Sequence, residues 1–370
     1  MRAADRGEPG TVVFACLDAD ALGGVQRVTH TIAQGLSGRG YEVHVLGLHR
    51  AAEPVRYVER PAYLRHLIHR APQERVGRLP RRLGDRRLRA LLDALAPGHI
   101  VMTSPGAVNR LLALLPPHLS PIGHYHGSFE HARGCWHLAS VRRHWWRLDQ
   151  AVFLSADDAA RFADQALLPN VWTIPNPLPG WPRRQAPLDG HRVLGVGRLE
   201  GVKRFDRLIS AFAAARRDAG EPWELHLIGD GAELGRLRRH ARAEGVAGRV
   251  VFRGRVPAGA MAEEYLGGAL LGLSSEHEGL GPALAEAASY GVPAVAFDVS
   301  GGVRSLVRHG YTGLLVPPGD TAGLAAALAR LMASPGERRR MGAAARVHAE
   351  TFRLERVLDD WERMFAHMTR

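Results

Sequence analysis

Between residues 11 and 297, short apolar runs alternate with stretches whose apolar side chains recur every three or four positions, and few folds absorb that order. The short runs read as buried strands and the periodic stretches as helices with one apolar face. Their regular alternation reads as parallel α/β architecture. In the first half, the run at 11–15 leads through a polar loop to Val25, Val28, Ile32 and Leu36, which share one helix face, and Gly38 and Gly40 stop that helix. Further strands are expected at 41–48, 99–103, 121–125, 151–154 and 171–174, with helices between several of them, giving one doubly wound sheet.

Pro175-Asn176-Pro177-Leu178-Pro179-Gly180-Trp181-Pro182 interrupts the pattern, because proline fixes φ and removes a donor. Beyond this linker the alternation restarts, with strands expected at 192–196, 224–228, 250–252, 270–273 and 294–297. The reading is two domains of similar plan, 1–178 and 179–350, and a terminal helix within 351–370. That helix carries Leu354, Val357, Leu358, Trp361, Met364 and Phe365 on one face, which needs cover; packing back across the domain boundary would provide it. At 370 residues the chain is long enough for both domains to bury a core without staples.

Cys16 and Cys135 are too few for a disulfide framework and show no metal spacing, which suits two half-buried thiols in a reducing cytoplasm. No uninterrupted apolar run approaches a membrane span, and Met1-Arg2-Ala3-Ala4-Asp5-Arg6 lacks the apolar core of a signal peptide. The expectation is a soluble cytoplasmic chain that begins near residue 1, able to sit peripherally at the inner face of the membrane. The net charge of +12 is concentrated, with eleven arginines from Arg56 to Arg89 against Glu59, Glu74 and Asp85. Such a stretch suits a solvated face, an anionic membrane surface or an anionic acceptor. Nucleic acid is not expected as a partner, since Tyr57 and Tyr63 are the only aromatics there for stacking.

Of 49 basic side chains, Lys203 alone is lysine. It ends Gly197-Arg198-Leu199-Glu200-Gly201-Val202-Lys203, after the apolar run Val193-Leu194-Gly195-Val196 and before the helical spacing of Phe205, Leu208, Ile209 and Phe212. Arg198 and Lys203 therefore bracket a strand-to-helix turn, where open α/β sheets bind ligands. A compact, rotatable ammonium and a planar guanidinium fork fit a phosphate differently. In this setting a solitary lysine reads as a phosphate ligand rather than an accident of composition.

The segment from Leu271 to Glu286 reads as a buried strand, a glycine loop and a new helix. Gly279, Leu280 and Gly281 can offer backbone amides to an anion, Pro282 suits the first helical turn, and the helix dipole adds partial positive charge. With Arg198 and Lys203 on the neighbouring loop, this is a candidate diphosphate site. Glu278 is expected in the loop and Glu286 about two turns into the helix, where eight helical residues rise about 12 Å. Glycosidase carboxylate pairs stand about 5 to 9.5 Å apart. The two acids therefore read as separate ligands for hydroxyl groups rather than an acid/base dyad; an ordinary helix-surface acid is the other reading of Glu286.

Glu278-x7-Glu286, with Gly197-Arg198-Leu199, Lys203, Ile228-Gly229-Asp230-Gly231 and Gly310-Tyr311-Thr312-Gly313-Leu314-Leu315-Val316-Pro317, resembles as a set the group-1 (family 4) retaining glycosyltransferases of the GT-B type. Gly23-Gly24-Val25-Gln26-Arg27 looks like the glycine loop that opens the family's N-terminal domain. The resemblance implies two Rossmann-like domains facing a central cleft, with the acceptor on the N-terminal domain and a nucleotide diphosphate sugar on the C-terminal one. It also implies that Arg198, Lys203 and the amides of Gly279, Leu280 and Gly281 grip the diphosphate, Glu286 the ribose, and Glu278 the transferred sugar. Base contacts are expected near Phe252-Arg253-Gly254, with Arg253 a candidate. His126, in Gly123-His124-Tyr125-His126-Gly127-Ser128, matches the histidine such enzymes extend toward the sugar, with His124 its competitor.

One departure is Ser300-Gly301-Gly302-Val303-Arg304-Ser305, where the family often has an acidic residue and this chain has none. No Asp-x-Asp stands where it would hold a metal beside the diphosphate, since Asp18-Ala19-Asp20 lies in the N-terminal loop; neither metal nor other cofactor is expected. The implied reaction is sugar transfer to a hydroxyl with retention, the acceptor being an anionic cell-wall polymer, a lipid-linked glycan or a natural product. A nucleotide-sugar epimerase of the same fold, or a noncatalytic sugar-nucleotide binding protein, are the other readings.

Overall fold

The structure, a computed structural model, describes residues 10–217 and 222–368, so the expectation for residues 1–6 lies outside the described residues. The chain divides into two compact units, residues 1–179 with 354–370, and residues 180–353.

The first unit runs β1 (Thr11–Asp18), α1 (Gly24–Gly38), β2 (Glu42–His49), β3 (Leu64–His69), α2 (Arg78–Asp93), β4 (Gly98–Met102), α3 (Pro105–Leu111), β5 (Leu119–Tyr125), α4 (Phe129–Arg133), α5 (Trp136–His144), β6 (Gln150–Phe153), α6 (Ala156–Ala166) and β7 (Val171–Thr173). Its strands form one parallel sheet in the order β3-β2-β1-β4-β5-β6-β7. Side chains alternate across a strand, so β1 sends Val13 and Ala15 into one core layer and Val12, Phe14 and Cys16 into the other. Both faces are covered, which is why these strands read as continuous apolar runs. Cys16 is buried rather than half-buried; it lies among Thr29 and Thr103, and burial raises its thiol pKa.

The second unit runs β8 (Arg192–Val196), α7 (Phe205–Ala215), β9 (Glu224–Ile228), α8 (Leu234–Ala243), β10 (Val250–Gly254), α9 (Met261–Leu266), β11 (Leu270–Leu273), α10 (Pro282–Ser289), β12 (Ala294–Phe297), α11 (Gly301–Leu306), β13 (Gly313–Val316), α12 (Thr321–Ala333) and α13 (Pro335–Ala349). Its parallel sheet has the order β10-β9-β8-β11-β12-β13. In such a sheet the connections diverge between β8 and β11, leaving a crevice at their carboxyl ends.

The chain then returns to the first unit as α14 (Leu354–Met368). Trp361 meets Phe14 edge-on at 5.9 Å between ring centroids. A Cβ added at Gly35 of α1 would stand 2.6 Å from Leu358, so glycine lets the two helices approach. At the exposed rim Arg39 pairs with Asp359 at 2.8 Å and Glu362 at 2.6 Å.

Candidate functional site

The loops after β8 and β11 meet at the crevice of the second unit's sheet, and backbone groups fasten them together. Glu276 N–H donates to Val202 O at 2.9 Å, and the Ser274 hydroxyl donates to the carbonyls of Lys203 and Arg204 at 3.0 and 2.9 Å. Arg204 takes a left-handed conformation, φ 47°, where the short turn at 201–203 gives way to α7. Its guanidinium spans Asp206 and Glu276, which holds that strained corner in place.

This scaffold brings Lys203 and Glu278 into contact across 75 residues of chain, with Nζ donating to Oε1 at 2.6 Å. The Ser275 hydroxyl donates to the same oxygen at 2.6 Å, and Glu278 is 7% exposed. The stem of Lys203 lies over Gly197, where an added Cβ would stand 3.2 Å from Cε. Gly229 in turn allows its own loop to close on this one, since a Cβ there would stand 1.9 Å from Gly197 O at φ 139°. Gly281 takes φ 78° immediately before Pro282, the first residue of α10. The loop at Gly279 and Leu280 is backed by α11, because Gly302 has no side chain: a Cβ there would stand 1.7 Å from Gly279 O.

The other candidates lie in separate networks. Arg198 is exposed and pairs with Glu200 at 3.0 Å. Glu286 accepts from the Tyr265 hydroxyl of α9 at 2.7 Å. Because α10 starts at Pro282, Glu286 lies just past the first helical turn, not about two turns in, and the loop at 278–281 does not follow a helical rise. Arg253 grips buried Glu264 at 2.9 and 2.7 Å. Ser300 opens the segment that lacks the acid the resembled family often has there: it accepts from Val303 N–H at 3.1 Å as the cap of α11 and donates to Gly279 O at 3.3 Å. Tyr265, Ser275 and Ser300 were not identified from sequence; the Ser-Gly-Gly start of a helix was the one available signal.

In the first unit, His126 follows β5. Both ring nitrogens are closed off from solvent without a well-formed hydrogen bond, and burial lowers its pKa to about 4, offset a little by the Asn176 amide. The imidazole is therefore neutral near pH 7. His124, whose ring centroid is 3.9 Å away, is likewise held well below the ordinary histidine value, by burial and then by His126. In the glycine loop, Gly23 N–H donates at 2.8 Å to the Tyr57 hydroxyl, which donates to Ala21 O at 2.7 Å, and an added Cβ at Gly24 would meet nothing within 4 Å. Asp18 is the last residue of β1 rather than part of the loop that follows, and Asp20 accepts from Ala51 N–H at 2.9 Å.

Two family models match the chain, Glycosyltransferase Family 4 over residues 22–179 and Glycosyl transferases group 1 over residues 182–348. An exopolysaccharide phosphotransferase of Streptomyces coelicolor is 28% identical over 96% of this chain, and the chain spans only 41% of that relative. The sucrose-phosphate synthase of Thermosynechococcus elongatus superposes with a TM-score of 0.81 at 19% identity, covering 98% of this chain and 99% of that one. A protein of Anabaena, HepE, solved with UDP and glucose, superposes with a TM-score of 0.76 at 17% identity, covering 96% of this chain and 99% of that one. At these identities the structures establish the fold: two Rossmann-like domains of the GT-B kind.

Proposed function

This chain belongs to the group-1, family-4 glycosyltransferases, and from that membership we propose that it moves a sugar from a nucleotide diphosphate donor to an acceptor hydroxyl with retention of anomeric configuration. The observation that carries the reading is the Lys203–Glu278 pair, set on two fastened loops at the sheet's crevice. An ammonium has three donors, so Lys203 can keep Glu278 and still meet a phosphate oxygen. Both hydrogen bonds to Glu278 fall on Oε1, which leaves Oε2 to accept from a sugar hydroxyl. The amides of Gly279, Leu280 and Gly281 at the start of α10 would take the remaining phosphate charge, joined by Arg198 from its exposed position. Glu286 would hold the ribose and Arg253 would reach the base, once each exchanges a protein partner for the ligand.

Retention fits a site whose carboxylates are engaged separately. Glu278 is tied to Lys203 and Glu286 to Tyr265, so neither is offered as a nucleophile beside a partner acid. In the proposed same-face reaction the bond from the anomeric carbon to the leaving phosphate breaks as the acceptor oxygen attacks, and that phosphate receives the acceptor proton. His126, neutral at working pH, would hydrogen-bond a sugar hydroxyl and hold the donor in position. With Lys203 and a helix N-terminus to neutralise the diphosphate, transfer is proposed to proceed without a metal ion.

The arginine-rich segment supports contact with an anionic surface. Leu79 is 69% exposed and Leu83 is 47% exposed on α2, a helix that also bears Arg81, Arg82, Arg86, Arg87 and Arg89. Among the described residues no helix is long and apolar enough to cross a membrane.

A panel of nucleotide diphosphate sugars, scored for nucleotide diphosphate release with and without acceptors in excess chelator, tests the reaction. One donor should be consumed, and NMR of the product of an α-linked donor should show an α linkage. A β linkage, or free epimerised donor without acceptor, would overturn retention or transfer respectively. Turnover that vanished with chelator and returned only with a divalent ion would overturn metal independence.

A further inference from the structure

The corner between α4 and α5 gathers three soft or borderline ligands that the transfer reading leaves unused. Ligand atoms of His131, Cys135 and His137 all lie within 4.8 Å of one another, and all three residues are half-buried. Their linear order, His-x3-Cys-x-His, is not a common zinc spacing, so the sequence showed no metal pattern. Chain geometry makes the cluster: Ser128 caps α4 by accepting from His131 N–H at 3.2 Å, the chain turns at Gly134, and Cys135 becomes the N-cap of α5.

We propose that His131, Cys135 and His137 form a binding site for a Zn2+-class cation, with water as the fourth ligand. Two imidazoles and a thiolate suit zinc and exclude magnesium or calcium, which take oxygen ligands. Tetrahedral bonds of about 2.0 to 2.3 Å set ligands roughly 3.5 Å apart, so side-chain rotations of about 1 Å close the site. The Tyr125 hydroxyl, 3.0 Å from His137 Nδ1, supplies the outer hydrogen bond that orients a metal-binding imidazole. Tyr125 ends β5 and directly precedes His126, so an ion here would also steady the loop that carries that histidine.

The test is made on untagged, metal-depleted protein titrated with Co2+, without donor or acceptor, so it does not depend on transfer activity. One equivalent should give the near-ultraviolet charge-transfer absorption of a cobalt–thiolate bond, and Zn2+ should abolish it by displacement. Cys135→Ser should remove that absorption with the fold intact by circular dichroism, and Tyr125→Phe should weaken binding by about 10- to 100-fold. His131→Gln serves as a second ligand variant if Cys135→Ser does not fold. The absence of a thiolate band at saturating Co2+ would overturn the proposal, as would a band that survives loss of Cys135. Cobalt absorption without thiolate character would place binding at other histidines and overturn it equally.

Discussion

Lys203 concentrates the electrostatics of the proposed site in one side chain, since it holds Glu278 at 2.6 Å while its stem lies over Gly197. Lys203→Ala removes a preorganised donor to developing negative charge, an interaction worth about 3 to 4 kcal/mol, and should lower kcat/KM by roughly 100-fold or more. Lys203→Arg should recover only part of this, because a planar fork cannot keep Glu278 and meet a phosphate in the same geometry. Steady-state kinetics with the identified donor checks both; wild-type kinetics in the arginine variant would return the solitary lysine to chance. That Lys203 and Glu278 lie on neighbouring loops was legible in the sequence because a turn between a strand and a helix fixes where such residues lie. The depth of Glu286 in its helix was not, because the chain from Glu278 to Gly281 is a loop rather than helix. The partners Tyr265 and Ser275 were not, because the relevant contacts depend on how α9 packs and how the 274–281 loop folds.

At the scale of elements, the proposed anion loop depends on α11 as a backing, and Gly302 is where the two touch. Gly302→Ala would push a methyl into the Gly279 carbonyl, which is backbone and cannot rotate away. The variant should lose about 1 to 3 kcal/mol of stability and bind nucleotide diphosphate more weakly. Gly336→Ala, at a helical position with nothing within 4 Å, should leave both unchanged or slightly improved. Thermal melts and a nucleotide diphosphate titration separate the two cases, and equal behaviour of the variants would sink the backing role. Strands buried on both faces were readable because their apolar runs are continuous; those at 192–196, 224–228, 270–273 and 294–297 match the observed bounds. Missing from that reading were β3, α2 and β13, the last because its apolar run is only the three residues Leu314-Leu315-Val316. An edge strand with mostly exposed side chains has no continuous apolar run, and α2 buries only a narrow stripe that includes Leu88 and Leu92 amid its arginines.

Across the whole molecule, buried histidines are unevenly shared. Burial is the leading cause of lowered pKa values at His30, His49, His66, His69, His99, His124, His126, His137 and His144, all in the first unit. The second unit has His226 and His348 in the same condition. A histidine held neutral when folded takes up a proton first in the unfolded chain. Stability is therefore full above the unfolded value near 6.5 and declines as pH falls toward each folded value, which for His126 is about 4. Each such group steepens the decline by at most about 1.4 kcal/mol per pH unit. Asp18 and Asp158, whose pKa values burial raises, bind protons in the native state and offset part of this, but they are two against nine. In the second unit Asp206 and Glu224 have lowered values, so the stability they contribute is lost only as pH falls below the ordinary carboxylate range. The first unit should accordingly open at higher pH than the second. Hydrogen exchange followed from pH 7 to 4, corrected for its intrinsic pH dependence, should show amides of β1, β4 and β5 losing protection before those of β8, β11 and β12. Simultaneous loss in both units, or the reverse order, would mean that the histidine burden does not set the acid limit of this fold.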